Sequence, residues 1–111
     1  MTDTTHTFAA YFKRAASPVI ILAVLKERPM YGYEISDAIK QRSGGKYTIS
    51  VMYPILRGLV EDGCLELSKE VIVDGRARRY YSITPRGEQY LADMKVEFEE
   101  LASSFRALTS E

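Results

Sequence analysis

Between Gly75 and Gly87 the chain carries four arginines, Arg76, Arg78, Arg79 and Arg86, and no acidic residue. Guanidinium groups this close together suit phosphate oxygens, because each offers a fixed fork of N–H donors and a charge that does not titrate. A second set of polar and contact-forming residues lies upstream, at Ser50, Val51, Tyr53 and Arg57. On the outer face of a helix Arg57 can donate bidentately to guanine or bind phosphate, while Ser50 and Tyr53 can hydrogen-bond phosphate. Catalysis has far less to work with. His6, the only histidine, lies in a tail expected to fray, Cys64 is the only cysteine, and no Cys/His cluster with metal spacing and no nucleophile elbow is present. Gly44-Gly45-Lys46 lacks the first glycine and the preceding strand of a phosphate-binding loop. No catalytic residue, metal or cofactor is expected, and an enzyme is not.

These groups need elements to hold them. At 111 residues, 46 % hydrophobic and 27 % charged, the chain has the size and composition of one ordinary globular domain. Thr7 to Ala16 reads as a short helix with Phe8, Tyr11 and Phe12 on one stripe. Ser17-Pro18 then looks like an N-cap with proline at the first helical position, starting a buried helix over Val19 to Lys26. A further helix opens at Tyr31-Gly32-Tyr33-Glu34 and runs to about Arg42, where Ser43-Gly44-Gly45 stops it. Thr48 or Ser50 can cap a third helix reaching Asp62, with Met52, Ile55, Leu56, Leu59 and Val60 as its core stripe and Pro54 bending its early turns.

After Gly63 the period changes to that of strands. Cys64 to Val73 and Arg78 to Thr84 flank Asp74-Gly75, a tight-turn signal, and predict one β-hairpin. Strand alternation sends Arg78 and Arg79 to opposite faces, which favours Arg76 and Arg78 as the pair meeting DNA, on phosphates or in a narrow minor groove. Thr84-Pro85 launches the last helix. The fold class is therefore mainly α with a β-hairpin wing. Residues 1–87 form a winged helix-turn-helix domain with an N-terminal helix at 7–16, and residues 88–111 form a long C-terminal dimerisation helix.

That last helix is too apolar to stand alone. Leu91, Met94, Phe98, Leu101, Phe105 and Leu108 alternate at three and four residues, a heptad seam for self-association. A homodimer is expected, with Phe8, Tyr11 and Phe12 packing on the partner and two recognition helices about one DNA turn apart on a pseudo-palindrome. The zero net charge hides a division. Residues 1–87 hold thirteen Lys/Arg against nine Asp/Glu, and residues 88–111 hold two against six. A local basic face is what a phosphate meets. The polar N-terminus lacks a basic start, and the apolar run Pro18 to Leu25 is too short for a bilayer, so neither a signal peptide nor a membrane partner is expected and a cytoplasmic location is. Cys64 reads as a buried thiol acting as a small hydrophobe.

The segments YGYEI (Tyr31 to Ile35), MYPIL (Met52 to Leu56), GLVEDGCL (Gly58 to Leu65) and GRARRYYSITPRG (Gly75 to Gly87) resemble the GY, YPxL, EExG and RKYYxLTxxG elements of the PadR family. Order and spacing agree over roughly residues 17–88, and the final helix is similar to the family's dimerisation helix in its small subgroup. The resemblance implies a repressor in which Tyr33, Tyr53, Arg57 and the wing arginines lie at the DNA surface, with Tyr80 and Tyr81 bracing wing and core. One departure concerns the small pair before the YPxL element, here Ser50-Val51. Valine can touch a thymine methyl but cannot donate to phosphate. Relief of repression by a hydrophobic small molecule would use an aromatic inter-subunit pocket of Phe8, Phe12, Met94 and Phe98, without the tryptophan some relatives use. Two other readings stand beside this one: a winged-helix module that docks a protein without touching DNA, and a protein whose primary role is small-molecule sensing.

Overall fold

The computed structural model describes residues 7–111, and His6 lies outside them. Helix α1 spans Phe8–Leu25, with Thr7 Oγ1 accepting from the Ala10 N–H at 3.2 Å. The expected break at Ser17-Pro18 does not occur. Pro18 lies inside one continuous helix, and Ser17 is helical and buried instead of serving as an N-cap. Pro18 has no N–H to donate to the Arg14 carbonyl, so the helix gives up one bond there and is held through the neighbouring carbonyl. The Ser17 hydroxyl donates to the Lys13 carbonyl, and the Tyr47 hydroxyl donates to the same oxygen at 3.0 Å. Tyr47 is too distant in sequence for helical periodicity to reveal this support.

Joined in this way, α1 is long and apolar enough to cross a membrane by length and composition. Its second half is instead the centre of the domain: Ile21, Leu22, Val24 and Leu25 are buried among the core residues of the other elements. Helix α2, Gly32–Arg42, starts where the Tyr31 N–H donates to the Glu34 carboxylate at 3.2 Å. It stops as expected, with Gly44 and Gly45 at φ of 62° and 82° and the Gly45 N–H on the Lys40 carbonyl. Helix α3 spans Met52–Glu61, and the cap expected from Thr48 or Ser50 is absent. Val51 occupies that position and makes no side-chain cap bond. Pro54 falls in the first turn, where backbone N–H groups have no intrahelical acceptor, so it removes no bond. Met52, Leu56 and Leu59 are buried as their stripe requires.

Gly63, at φ 79°, ends α3 by donating to the Val60 carbonyl at 3.0 Å, while the Cys64 N–H reaches Leu59 at 2.9 Å. This pair of bonds satisfies the last carbonyls and turns the chain into the hairpin. Strands β1, Leu65–Val73, and β2, Arg76–Ile83, pair antiparallel around Asp74 (φ 52°) and Gly75 (φ 76°). Two consecutive left-handed residues give the mirror-image turn whose twist matches the strands. A bulge between Leu67 and Lys69 shifts the register, and Met30 adds a short bridge to Tyr81, its N–H and carbonyl both paired with that residue.

Helix α4, Pro85–Thr109, is anchored at its start. Thr84 Oγ1 accepts from the Gly87 N–H at 3.0 Å and donates to the Gly63 carbonyl at 2.6 Å. Leu91 is only 5 % exposed and belongs to the chain's own core, so the expected seam loses its first member. The helix thus runs without interruption through residues 87 and 88, and its first two turns pack on the head. Past Leu91 it continues for about 27 Å. The N-terminal half of α1 lies alongside, with Phe8 stacked on Phe105 at 6.1 Å and Phe12 edge-on to Phe98 at 6.2 Å. Two of the aromatic residues expected on a partner therefore already touch α4 of their own chain, and both remain exposed.

Candidate nucleic-acid interface

The outer face of α3 and the residues before it are open. Ser50, Val51, Tyr53 and Arg57 are all exposed, and Arg57 makes no hydrogen bond or ion pair among the described residues. Tyr53 lies over the first residue of α2: a Cβ added to Gly32 would stand 2.6 Å from the Tyr53 hydroxyl oxygen. That close approach explains the glycine in YGYEI, and it brings the start of α3 against the start of α2. Tyr33 projects from the same end of α2 and stacks on Tyr31 at 6.4 Å. Tyr31 meets Tyr80 of the wing edge-on at 5.4 Å, with the Arg78 guanidinium over its face at 5.2 Å. One continuous surface therefore joins α3 to the wing through four tyrosines, Tyr53, Tyr33, Tyr31 and Tyr80.

The arginines divide as strand alternation requires. Arg76 is exposed beside the turn; Arg78 is partly buried on Tyr31, its Nε enclosed and without a hydrogen-bond partner. Arg79 lies on the opposite face and pairs with Glu70 at 3.3 Å. Tyr80 and Tyr81 join wing and core, the first through Tyr31 and the second through its backbone pairing with Met30. Two contributors escaped the sequence reading. One is Lys69, its Nζ 4.8 Å from the Tyr80 ring centroid, and the other is Tyr31, which the sequence marks only as the opening of a helix. The tyrosine-rich composition near the wing was the available signal for this cluster.

Away from this surface, Phe98, Leu101 and Leu108 of α4 are 48 %, 63 % and 85 % exposed, and Phe105 is also exposed, whereas Met94 is half-buried. A separate groove of about 530 Å³ lies between α1, α3 and α4, with Pro18, Ile55, Leu59, Arg86 and Tyr90 on its walls. Cys64 lines it as a buried thiol.

Residues 21–93 match the family described as "Transcriptional regulator PadR-like family". The chain belongs to the PadR-like family. This PadR-like regulator is also 36 % identical to the transcriptional regulator Rv3488 of Mycobacterium tuberculosis over 91 residues, covering 82 % of this chain and 83 % of the relative. Among solved structures, it is similar to a transcriptional regulator from Clostridium thermocellum, with a TM-score of 0.76 and 29 % identity over 90 % of this chain and 98 % of that one. A PadR-family regulator from Eggerthella lenta shares the fold at a TM-score of 0.78 and 24 % identity, over 90 % of this chain and 83 % of the other. The regulator is thus a transcriptional regulator with a winged-helix fold, and not an enzyme. The matched segment begins within α1 and ends just after Leu91. It covers the head and wing, and the exposed part of α4 lies beyond it.

Proposed function

We propose that this PadR-like regulator is a cytoplasmic homodimer that binds double-stranded DNA at a pseudo-palindromic operator and represses transcription. The observation that supports it most directly is the continuous surface from the exposed Arg57 and Tyr53 on α3, through Tyr33 and the half-buried Tyr31, to Arg78 and Arg76 on the wing. With α3 in the major groove, Arg57 donates to guanine or to phosphate, Val51 faces a thymine methyl, and Ser50, Tyr53 and Tyr33 bond the backbone. Arg76 and Arg78 meet phosphates beside the groove. The first-turn N–H groups of α3, left without a side-chain cap by Val51, add donors on the same side.

Dimerisation would use Met94, Phe98, Leu101, Phe105 and Leu108, together with the exposed rings of Phe8, Tyr11 and Phe12. The physical reason is the length of apolar α4 that extends past Leu91, the last buried residue of that helix. A planar hydrophobic effector held against Phe8, Phe12, Met94 and Phe98 between subunits would change the angle between the two heads and lower operator affinity.

Binding of the chain to fragments upstream of candidate target genes, measured by fluorescence at two salt concentrations, tests the assignment. Arg57→Ala is expected to weaken operator binding by about 1–3 kcal/mol, roughly 5- to 150-fold. Wild-type affinity in that variant would remove Arg57 from the interface. Binding that ignores salt would favour a protein-docking module.

A further inference from the structure

We infer that Lys69 is a third phosphate contact of the wing, and that the wing lies along the DNA backbone on its Lys69–Arg78–Arg76 face instead of inserting its tip. This rests on the DNA-binding reading above. The strand register places Arg76 opposite Val73, Arg78 opposite Val71 and Tyr80 opposite Lys69, so these six residues share one face. The other face of the same stretch carries Ile72 opposite Ala77 and Glu70 opposite Arg79, whose charges pair at 3.3 Å. One face above the bulge is thus purely cationic and the other neutralised.

The bulge creates that division. Leu67 opposes Tyr81 on the side that packs towards the core, and simple alternation would put Lys69, two residues later, on that side too. The extra residue at Ser68 turns the alternation over, which is how bulges re-aim side chains. Lys69 consequently stands over Tyr80, Tyr80 against Tyr31, and Tyr31 under Arg78. Neither cation has an acidic partner among the described residues. Held on rings, both lose less freedom on meeting a phosphate than a free lysine or arginine would. From Arg76 to the Tyr80–Lys69 pair the row extends about 13 Å. Each strand of duplex DNA presents a phosphate about every 3.4 Å along the helix axis, so a row of that length along one backbone meets more than one, whereas a tip inserted in the minor groove would use only Arg76.

The test compares salt dependence for the wild type, Lys69→Gln, Lys69→Arg and Arg79→Gln on an operator fragment and on a random-sequence duplex. In a dimer, Lys69→Gln removes two phosphate contacts. The slope of log affinity against log salt is expected to fall by about 1.8 on both duplexes. Between 50 and 200 mM salt the variant then loses about 12-fold less affinity than the wild type. Lys69→Arg should keep the wild-type slope, and Arg79→Gln should leave it unchanged. An unchanged slope in Lys69→Gln, or an equal fall in Arg79→Gln, overturns the inference while leaving DNA binding intact. A flat wild-type slope overturns the DNA reading and the Lys69 contact with it.

Discussion

Replacing Phe98 and Leu101 together by aspartate is expected to yield a folded monomer that has lost most of its operator affinity. Neither side chain belongs to the core, since Gly87 and Leu91 are the only buried residues of α4 among those described. The head should therefore melt nearly as the wild type does, less the Phe12–Phe98 contact. At a two-fold interface the double change removes four apolar side chains. With about 1 kcal/mol of remaining burial for each, the dimer loses at least about 4 kcal/mol, or a thousandfold in dissociation constant. The carboxylates add a desolvation cost. Each head then binds its half-site without the high effective concentration that a linked second head supplies. Sedimentation and duplex binding on the same sample check both parts. A wild type already monomeric at micromolar concentration would contradict the dimer.

Gly87→Ala should destabilise the head by about 3 kcal/mol, at the upper end of overpacking effects, because the clash is with backbone. The added Cβ would stand 2.2 Å from the Cys64 carbonyl oxygen and 2.8 Å from Ile83 Cγ1. Relief requires α4 to move off the α3–β1 corner, which would also stretch the Thr84 bonds to Gly63 and Gly87. For a domain of this size the midpoint of thermal unfolding should fall by roughly 10–20 °C. Gly58 supplies the contrast. It is helical, and a Cβ there meets nothing within 4 Å, so Gly58→Ala should stabilise by up to about 1 kcal/mol through helix propensity. Equal effects at the two glycines would show that the close packing under α4 has been misread.

Local signals made most of the architecture legible. The Asp74-Gly75 turn, the glycines after Arg42, the cap-plus-proline at Thr84-Pro85 and the buried stripe of α3 all act within a few residues, and each appears where the sequence places it. Ser17-Pro18 carries the same local signal as Thr84-Pro85 but with the opposite outcome. The difference is tertiary: Tyr47 reaches back to the Lys13 carbonyl, and Ser17 turns inward beside it. The α3 start fails for a related reason, since cap residues were available at Thr48 and Ser50 and the packing of Met52 set the boundary later. Leu91 fits the heptad spacing yet belongs to the head, because spacing cannot tell a core contact from a subunit contact.

At the DNA surface the chemistry of the arginines was visible, and their partners were not. Alternation separated Arg78 from Arg79 correctly, but the placement of Lys69 depends on a bulge with no local mark in Glu66-Leu67-Ser68-Lys69. The Tyr31–Arg78 contact joins residues from α2 and the wing, a pairing that no local pattern encodes.

Central to this account is a dimer whose two cationic surfaces grip one duplex. The direct test is a salt titration of wild-type binding to an operator duplex, with stoichiometry measured at saturation. With Arg76, Arg78 and Lys69 of the wing each meeting a phosphate in both protomers, the account predicts two protomers per duplex and a log–log slope at least as steep as about −5. A single protomer per duplex, or a slope near zero, would contradict it.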